Sequence, residues 1–473
     1  MKERRLAPPA LRPLPLGSVR PAGWLGRQLR IQADGLGGHL DEIWPDVARS
    51  GWIGVVPLAF LLDDAGLKAK VRRWVDYILA HQHEDGWLGP VQSASQGQQY
   101  PPYDPWPGFV VLKALTQYHE ATGDRRVVSA MLHYLRKLAN MLAETPLFVW
   151  GQFRWQDLVL SVHWLYERTG EGWLLDLAAT AHGQGYDWRA HFEGFRWKAR
   201  VSAEEIGLET HVVNGAMAIK APGVWYRQSR DEGDRRAVYQ AIAVLDAYHG
   251  QATGVFTGDE HYAGLNPSQG TELCAVNEYL FSLEALLAIL GDPVLADRLE
   301  RIAFNALPAT FTPDMWAHQY DQQANQVVCR VSEDHVYVSN GPAANIFGLA
   351  PNYGCCTANL SQGWPKFAAH LWMASPDGGL VAVAYAPCIV EAQAGGQPVR
   401  VQVETDYPFA ETVGIEVRCQ EPCRFPLHLR IPAWAVGAEV QVGGEAPMPA
   451  RPGAFCTLER EWRGSSPLAL RLR

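Results

Sequence analysis

Two neighbouring cysteines, Cys355 and Cys356, sit in the run Asn352-Tyr353-Gly354-Cys355-Cys356-Thr357-Ala358-Asn359, and Glu272-Leu273-Cys274 lies roughly eighty residues upstream. Adjacent cysteines rarely close a disulfide on each other, because the short peptide between them strains the bond. Two thiolates on a bent backbone can instead share one tetrahedral ion, and three sulfurs with one carboxylate suit zinc. The spacing matches no standard finger or ribbon, so a pair of buried, inert thiols is the plain alternative. Glu272 and Cys274 are two apart and cannot share a helix face, which places them in the loop 266–270 and the first turn of a helix over Ala275–Leu290. Gly354 is expected to free the backbone ahead of Cys355, and a helix starting at Thr357 would favour thiolate through its N-terminal dipole.

If Glu272, Cys274, Cys355 and Cys356 fill the zinc shell, the carboxylate in Thr257-Gly258-Asp259-Glu260-His261 is left over for proton transfer. Glycosidases that retain configuration need an acid/base and a nucleophile on opposite sides of the scissile bond. A metal-bound thiolate can fill the nucleophile's place, being deprotonated at neutral pH. Glu260 read alone is equally an acidic turn facing water. His211, in Glu209-Thr210-His211, opens a helical segment and is a candidate for a sugar hydroxyl, although lone histidines are more often structural. Trp155, Asp157, His318 and Tyr320 are further candidates for substrate contact. The 18 tryptophans include several in turn-rich settings, among them Trp44-Pro45, Gly51-Trp52, Gly86-Trp87, Trp106-Pro107 and Trp155. Their flat faces suit sugars, and they suit a helical core equally well.

Positioning these groups falls to a helical region followed by strands. Links at Asp63-Asp64-Ala65-Gly66, Gly123-Asp124, Gly170-Glu171, Gly233-Asp234 and Gly291-Asp292-Pro293 each offer a left-handed glycine and a polar cap for the next helix. A further helix over Ala358–Trp372 would complete six hairpins, which close into an (α/α)6 barrel with its chemistry in the loops at one end. From residue 376 the pattern changes to period-two runs at Leu380–Ala384, Val399–Val403, Val413–Cys419, Leu427–Ile431, Glu439–Val442 and Leu468–Leu472, a short β-sandwich that lacks some strands. The expected division is therefore a catalytic helical domain over 1–375 and a β-sandwich domain over 376–473.

A net charge of −9 across 473 residues provides no basic stripe, which disfavours nucleic acid and anionic membrane and favours a neutral substrate, with which the carbohydrate partner suggested by the tryptophan faces agrees. No apolar run of about 18 residues stands out. Eight irregularly spaced cysteines do not read as a disulfide framework, so a reducing compartment, the cytoplasm, is expected. Self-association into a homo-oligomer is left open.

The chain resembles the β-L-arabinofuranosidase family, glycoside hydrolase family 127. The resemblance rests on Gly258-Asp259-Glu260, Thr271-Glu272-Leu273-Cys274, the Asn352–Asn359 run, Gln362-Gly363-Trp364-Pro365-Lys366-Phe367 and the opening Pro13–Pro21. It implies an (α/α)6 barrel followed by β-sandwich material, and zinc held by Glu272, Cys274 and the cysteine pair. One of that pair, taken as Cys355, would be the nucleophile, Glu260 the acid/base and His211 a substrate contact. Two departures accompany it. A longer connection rich in Trp, Glu, Gly, Pro and Tyr is expected between Gly51-Trp52-Ile53-Gly54 and Val55-Val56-Pro57-Leu58, and resembling chains continue through further strands. The missing connection motivates a rival, a non-catalytic glycan-binding or remnant protein with structural zinc. A second rival is a sugar epimerase or lyase on the same toroid, chemistry that needs no thiolate.

Overall fold

A computed structural model describes residues 5–44, 54–91, 103–331, 341–349 and 354–473. Six helical segments pack in a closed cycle: Val55–Leu61, Trp106–Thr122, Trp155–Thr169, Ala221–Ser229, Leu273–Leu290 and Gly363–Ala369, the last returning to the first. The first five are each backed by the helix that follows in sequence: Ala65–Ala80, Arg125–Glu144, Trp173–Gln184, Glu232–His249 and Pro293–Phe304. Gly23–Asp34 packs behind the sixth. Leu273–Leu290 has neighbours on all sides and is almost wholly buried. Its mean hydropathy of 1.6 over 18 residues would also suit a membrane span, and the packing explains that apolarity without one.

The linkers follow the capping chemistry in part. Gly123, Gly170 and Gly291 end their helices with left-handed φ of 67°, 70° and 68°, and the Asp124 and Asp292 side chains cap the helices that follow two of them. Elsewhere the left-handed residue is not the expected glycine. Asp63 takes φ 54° while Gly66 lies inside a helix capped by Asp64, and Arg230 takes φ 56° while Gly233 lies in a helix capped by Asp231.

The helix expected over Ala358–Trp372 is broken into Gly354–Asn359, a 3₁₀ turn at Leu360–Gln362 and Gly363–Ala369, and Trp372 already starts a strand. Pro365 has no N–H for the Ser361 carbonyl, which accepts from Gln32 Nε2 at 2.8 Å instead. Helix Val55–Leu61 starts directly after Gly54 and sits between its ring neighbours, so the short connection does not displace it. Gly51-Trp52-Ile53 lie outside the described residues, as do Pro45, Asn352 and Tyr353.

Among the described residues ten strands form one sheet, and Gly270–Glu272 pairs with Asp321–Gln323 in a separate two-stranded one. The spine of the larger sheet is the antiparallel pair Thr412–Ile431 and Ala454–Arg471, much longer than expected: Val413–Cys419 and Leu427–Ile431 are one strand, and the strand expected at Leu468–Leu472 already begins at Ala454. One end of the spine pairs with Gln397–Glu404 and Glu439–Val442, and the other with Leu380–Ala382. Cys388–Ala394 is an additional strand. Arg12–Pro13, Val19–Pro21 and Trp372–Ala374 join the same sheet, so strand material also comes from before residue 376. Arg430, fully buried, fastens sheet to helices through ion pairs with Asp297 and Glu300, and Glu300 also accepts from Tyr385 N at 3.0 Å and Tyr407 OH at 2.8 Å.

Candidate active site

Three stretches of chain meet where helix Leu273–Leu290 begins. Gly270–Glu272 is a short strand paired with Asp321–Gln323, and the Leu273 amide donates to the Tyr320 carbonyl at 2.9 Å, so the strand delivers Glu272 to the helix start. Gly258 bridges this strand through its own backbone, donating to Gly270 O and accepting from Glu272 N. A Cβ at Gly258 would lie 1.8 Å from Val212 Cγ1, so only glycine lets the Glu260 segment approach the helix Val212–Ala218. On the third side, helix Gly354–Asn359 carries Cys355 and Cys356, and starts at Gly354 rather than Thr357. Gly354 is required by space: a Cβ there would meet the Trp44 ring at 2.8 Å. Asn277 Nδ2 donates to Asn359 O at 2.6 Å and ties this helix to Leu273–Leu290.

The result is a cluster in which one ligand atom from each of Glu272, Cys274, Cys355 and Cys356 lies within 4.8 Å of the others. Cys274 Sγ is 3.3 Å from Cys356 Sγ, and Cys356 Sγ is 3.7 Å from Glu272 Oε1. Cys274, Cys356 and Glu272 are buried, whereas Cys355 is exposed. Burial pushes the Cys274 and Cys356 thiols and the Glu272 carboxyl well above their ordinary values. Cys355 goes the other way, down to about 3, because the thiols of Cys274 and Cys356 donate to it. Four acidic groups thus crowd together with one charge among them, and Glu272 Oε2 is buried with no hydrogen-bond partner among the described residues. This donor set fits a thiophilic dication: tetrahedral zinc with Zn–S of about 2.3 Å needs sulfurs about 3.8 Å apart, close to what the cluster offers.

Glu272 also belongs to a second group, with His211 and Glu260, whose ligand atoms again lie within 4.8 Å. His211 caps helix Val212–Ala218, its Nδ1 accepting from Asn214 N at 3.3 Å. That fixes the ring proton on Nε2, which lies 3.1 Å from Glu260 Oε2. Tyr320 OH donates to the other Glu260 oxygen. Burial pulls the Glu260 carboxyl up, but the contacts with His211 and Tyr320 outweigh it and hold the group below its ordinary value. Glu260 sits at φ 93°, a backbone region that costs a non-glycine residue about 1–3 kcal/mol.

Of the remaining sequence-derived candidates, Tyr320 alone joins this arrangement directly. His318 is buried behind it, with Nε2 2.9 Å from Thr357 Oγ1, and so steadies the residue after Cys356. Trp155 is packed away in the wall, its Nε1 donating to Tyr186 O at 3.1 Å and its ring against His182. Asp157 is buried deeper in the ring, paired with Lys113 at 3.3 Å and Lys220 at 3.2 Å. Neither Trp155 nor Asp157 belongs to the Glu/Cys and His/Glu clusters: the first is held by its own hydrogen bond, the second by two lysines.

Sequence reasoning missed Arg154. Its guanidinium is held between the Trp106 and Trp150 rings, 4.4 Å from each centroid, and its Nε donates to Asn214 Oδ1 at 2.7 Å. It lies within electrostatic reach of Glu278, Cys274, Asp157 and Glu272, and Trp150 in turn packs edge-on against His211. The available signal was an arginine in an aromatic-rich turn, Trp150-Gly151-Gln152-Phe153-Arg154-Trp155.

The catalytic-domain model of the β-L-arabinofuranosidase family, glycoside hydrolase family 127, matches residues 45–369, and that family's middle-domain model matches residues 379–473. The chain belongs to glycoside hydrolase family 127. It is a glycosidase of the β-L-arabinofuranosidase type. A comparison with curated proteins returns no match. Among solved structures, a glycoside hydrolase aligns with a TM-score of 0.79 at 16% identity, over 100% of this chain and 79% of that one. A family 127 β-L-arabinofuranosidase from Geobacillus stearothermophilus T6 aligns at 0.74 and 19%, over 96% and 81%. A family 127 β-arabinofuranosidase aligns at 0.73 and 16%, over 98% and 81%. At these identities the structural likeness establishes the fold, and the family assignment rests on the sequence models.

Proposed function

We propose that this family 127 chain is a zinc-dependent retaining hydrolase of β-L-arabinofuranosides that uses Cys355 as nucleophile and Glu260 as acid/base. The observation that carries this reading is that Glu272 stands in both clusters, so the Cys355 thiol and the hydrogen-bonded Glu260 carboxylate are brought to one carboxylate from different segments of the chain. Zinc held by Glu272, Cys274, Cys355 and Cys356 would keep the thiols deprotonated at neutral pH.

In the first half-reaction the Cys355 sulfur bonds to the anomeric carbon as the glycosidic C–O bond breaks, and Glu260 gives its proton to the departing oxygen. In the second, Glu260 takes a proton from water, the water oxygen bonds to the anomeric carbon, and the C–S bond breaks to return the thiolate. His211 and Tyr320 aim the Glu260 carboxyl, and Arg154 with its two tryptophans offers a donor-rich, flat-walled face for the furanose. Cys355 is favoured over Cys356 as nucleophile because it alone of the four groups is exposed.

The closed cycle of six helices is read as the inner wall of an (α/α)6 barrel, with the catalytic region over 1–375 and the sandwich-like region over 376–473. We assign the chain to the cytoplasm, a reducing compartment that suits eight free thiols.

The test is turnover of an aryl β-L-arabinofuranoside by wild type, Cys355→Ser and Glu260→Gln, with intact-mass detection of a trapped glycosyl adduct. Rates should fall by about 10³-fold or more in both variants, as for loss of a nucleophile or its proton-transfer partner. The adduct should map to Cys355. Near-wild-type turnover in either variant, or an adduct elsewhere, sinks the assignment.

A further inference from the structure

A separate cavity of about 690 Å³ opens at the far end of helix Leu273–Leu290. Glu284 lies ten residues beyond Cys274, about 15 Å along the axis at 1.5 Å per residue, so the cavity and the thiol cluster occupy opposite ends of one helix. Its walls come from Trp106–Thr122, Trp155–Thr169, Leu273–Leu290 and the segment 9–14. That segment is bonded across the end of the ring, Ala10 N to Ile289 O and Leu11 N to Ala288 O. The volume falls within the usual 300–1,000 Å³ of small-molecule sites.

What singles this cavity out is its unmet hydrogen-bonding capacity. The Glu284 side chain is fully buried, lines the cavity, and neither carboxyl oxygen has a hydrogen-bond partner among the described residues. The nearby ring nitrogen, His370 Nδ1, is 3.3 Å from Glu284 Oε2, but its proton is directed to the Lys366 carbonyl at 2.7 Å. Gln117 Oε1, also on the cavity wall, is buried and unpartnered as well. A buried polar group without a partner costs about 1–3 kcal/mol, so two such side chains, one on each of two facing elements, call for a ligand that supplies donors.

Charge narrows the ligand class. Lys113, Arg168, Arg227 and, at the exposed rim, Arg12 line the same space, which would repel an amine, and Glu120, Asp157 and Glu167 would repel an anion. Away from the rim these charges are already engaged: Arg168 with Glu120, Arg227 with Glu167, and Lys113 with Asp157. Hydroxyl groups satisfy acceptors without bringing charge. We propose that this cavity is a second binding site for a small neutral polyhydroxylated molecule, held by Glu284 and Gln117 at the end of the helical ring away from the thiols.

The site is independent of the glycosidase reading, and its test is binding. Xylitol is titrated by saturation-transfer NMR against wild type, Cys355→Ser and Glu284→Leu, with spermidine as the cationic comparison. Glu284→Leu removes an unpaired buried carboxyl, so the fold should melt no lower than wild type. If that variant does not fold, Gln117→Leu replaces it. Xylitol should saturate wild type and Cys355→Ser alike, and its affinity should drop about tenfold or more in the cavity variant. Absence of xylitol binding to wild type, binding indifferent to the cavity substitution, binding lost in Cys355→Ser, or spermidine competing for the same position would each overturn the proposal.

Discussion

Removing zinc and adding it back gives the most quantitative test of the thiol cluster. A ligand that binds only the folded chain stabilises it by RT ln(1 + [L]/Kd), which is about 2.7 kcal/mol at a hundredfold excess over Kd and about 4.1 kcal/mol at a thousandfold. Unfolding entropy near 2.1 cal/mol/K per residue gives about 1 kcal/mol/K for 473 residues. The melting temperature should therefore rise by about 3 °C at a hundredfold excess and by a further 1.4 °C or so for each tenfold more zinc. The assay is a calorimetric melt across a zinc series after chelation, with metal content measured in parallel and about one ion per chain expected. Cys274→Ala removes a sulfur from the buried side of the cluster and should flatten the slope. Cys388→Ala deletes an equally buried thiol in a strand outside the cluster and should leave the slope intact. A melting temperature indifferent to zinc, or an undiminished slope in Cys274→Ala, would refute the ligand assignment.

Two further outcomes follow from individual contacts. His211→Gln deletes a partner that holds Glu260 below its ordinary value, so the folded-state pKa of Glu260 rises. Glu260 must carry a proton for the first half-reaction, so the basic limb of the kcat/KM profile should move to higher pH; an unmoved or lowered limb argues against Glu260 as the acid. Arg430→Met leaves Glu300 buried without its counter-ion, and should lower stability by about 3–5 kcal/mol. That loss is read as a lower denaturant midpoint at unchanged slope, and a loss under about 1 kcal/mol would show that the joint does not depend on the pair.

The parts of this molecule written in local chemistry were legible in sequence. Gly123-Asp124 and Gly291-Asp292 behave as glycine stop and aspartate cap because both jobs are done within a few residues. Glu272 and Cys274 were recognisable through residue type alone, thiols and a carboxylate beside a helix start. Distant packing hid the rest. The break after Cys356 depends on Gln32 replacing the hydrogen bond that Pro365 cannot give, a pairing across more than three hundred residues. Gly354 looked like a hinge and is a contact surface for Trp44. Asp157 looked like a pocket carboxylate, and its lysines come from the helix Trp106–Thr122 and from the turn ahead of Ala221–Ser229. Arg154 was passed over since its role depends on Trp106, brought in from the neighbouring ring helix.

Accessibility separates a catalytic cluster from a purely structural one. A structural zinc site closes all four ligands away from solvent, whereas a catalytic one leaves a position open to substrate. Here Glu272, Cys274 and Cys356 are sealed at 1%, 1% and 0% exposure, while Cys355, on the same helical turn as Cys356, is exposed. A fold using zinc only as a staple would have no reason to leave one sulfur open beside a carboxylate held by His211 and Tyr320. The strained backbone at Glu260 is held in place by its neighbours: its carbonyl accepts from Val212 N at 2.8 Å and its carboxylate meets His211 and Tyr320. Exposure and strain thus fall on Cys355 and Glu260, the two residues that the proposed mechanism assigns as nucleophile and acid/base.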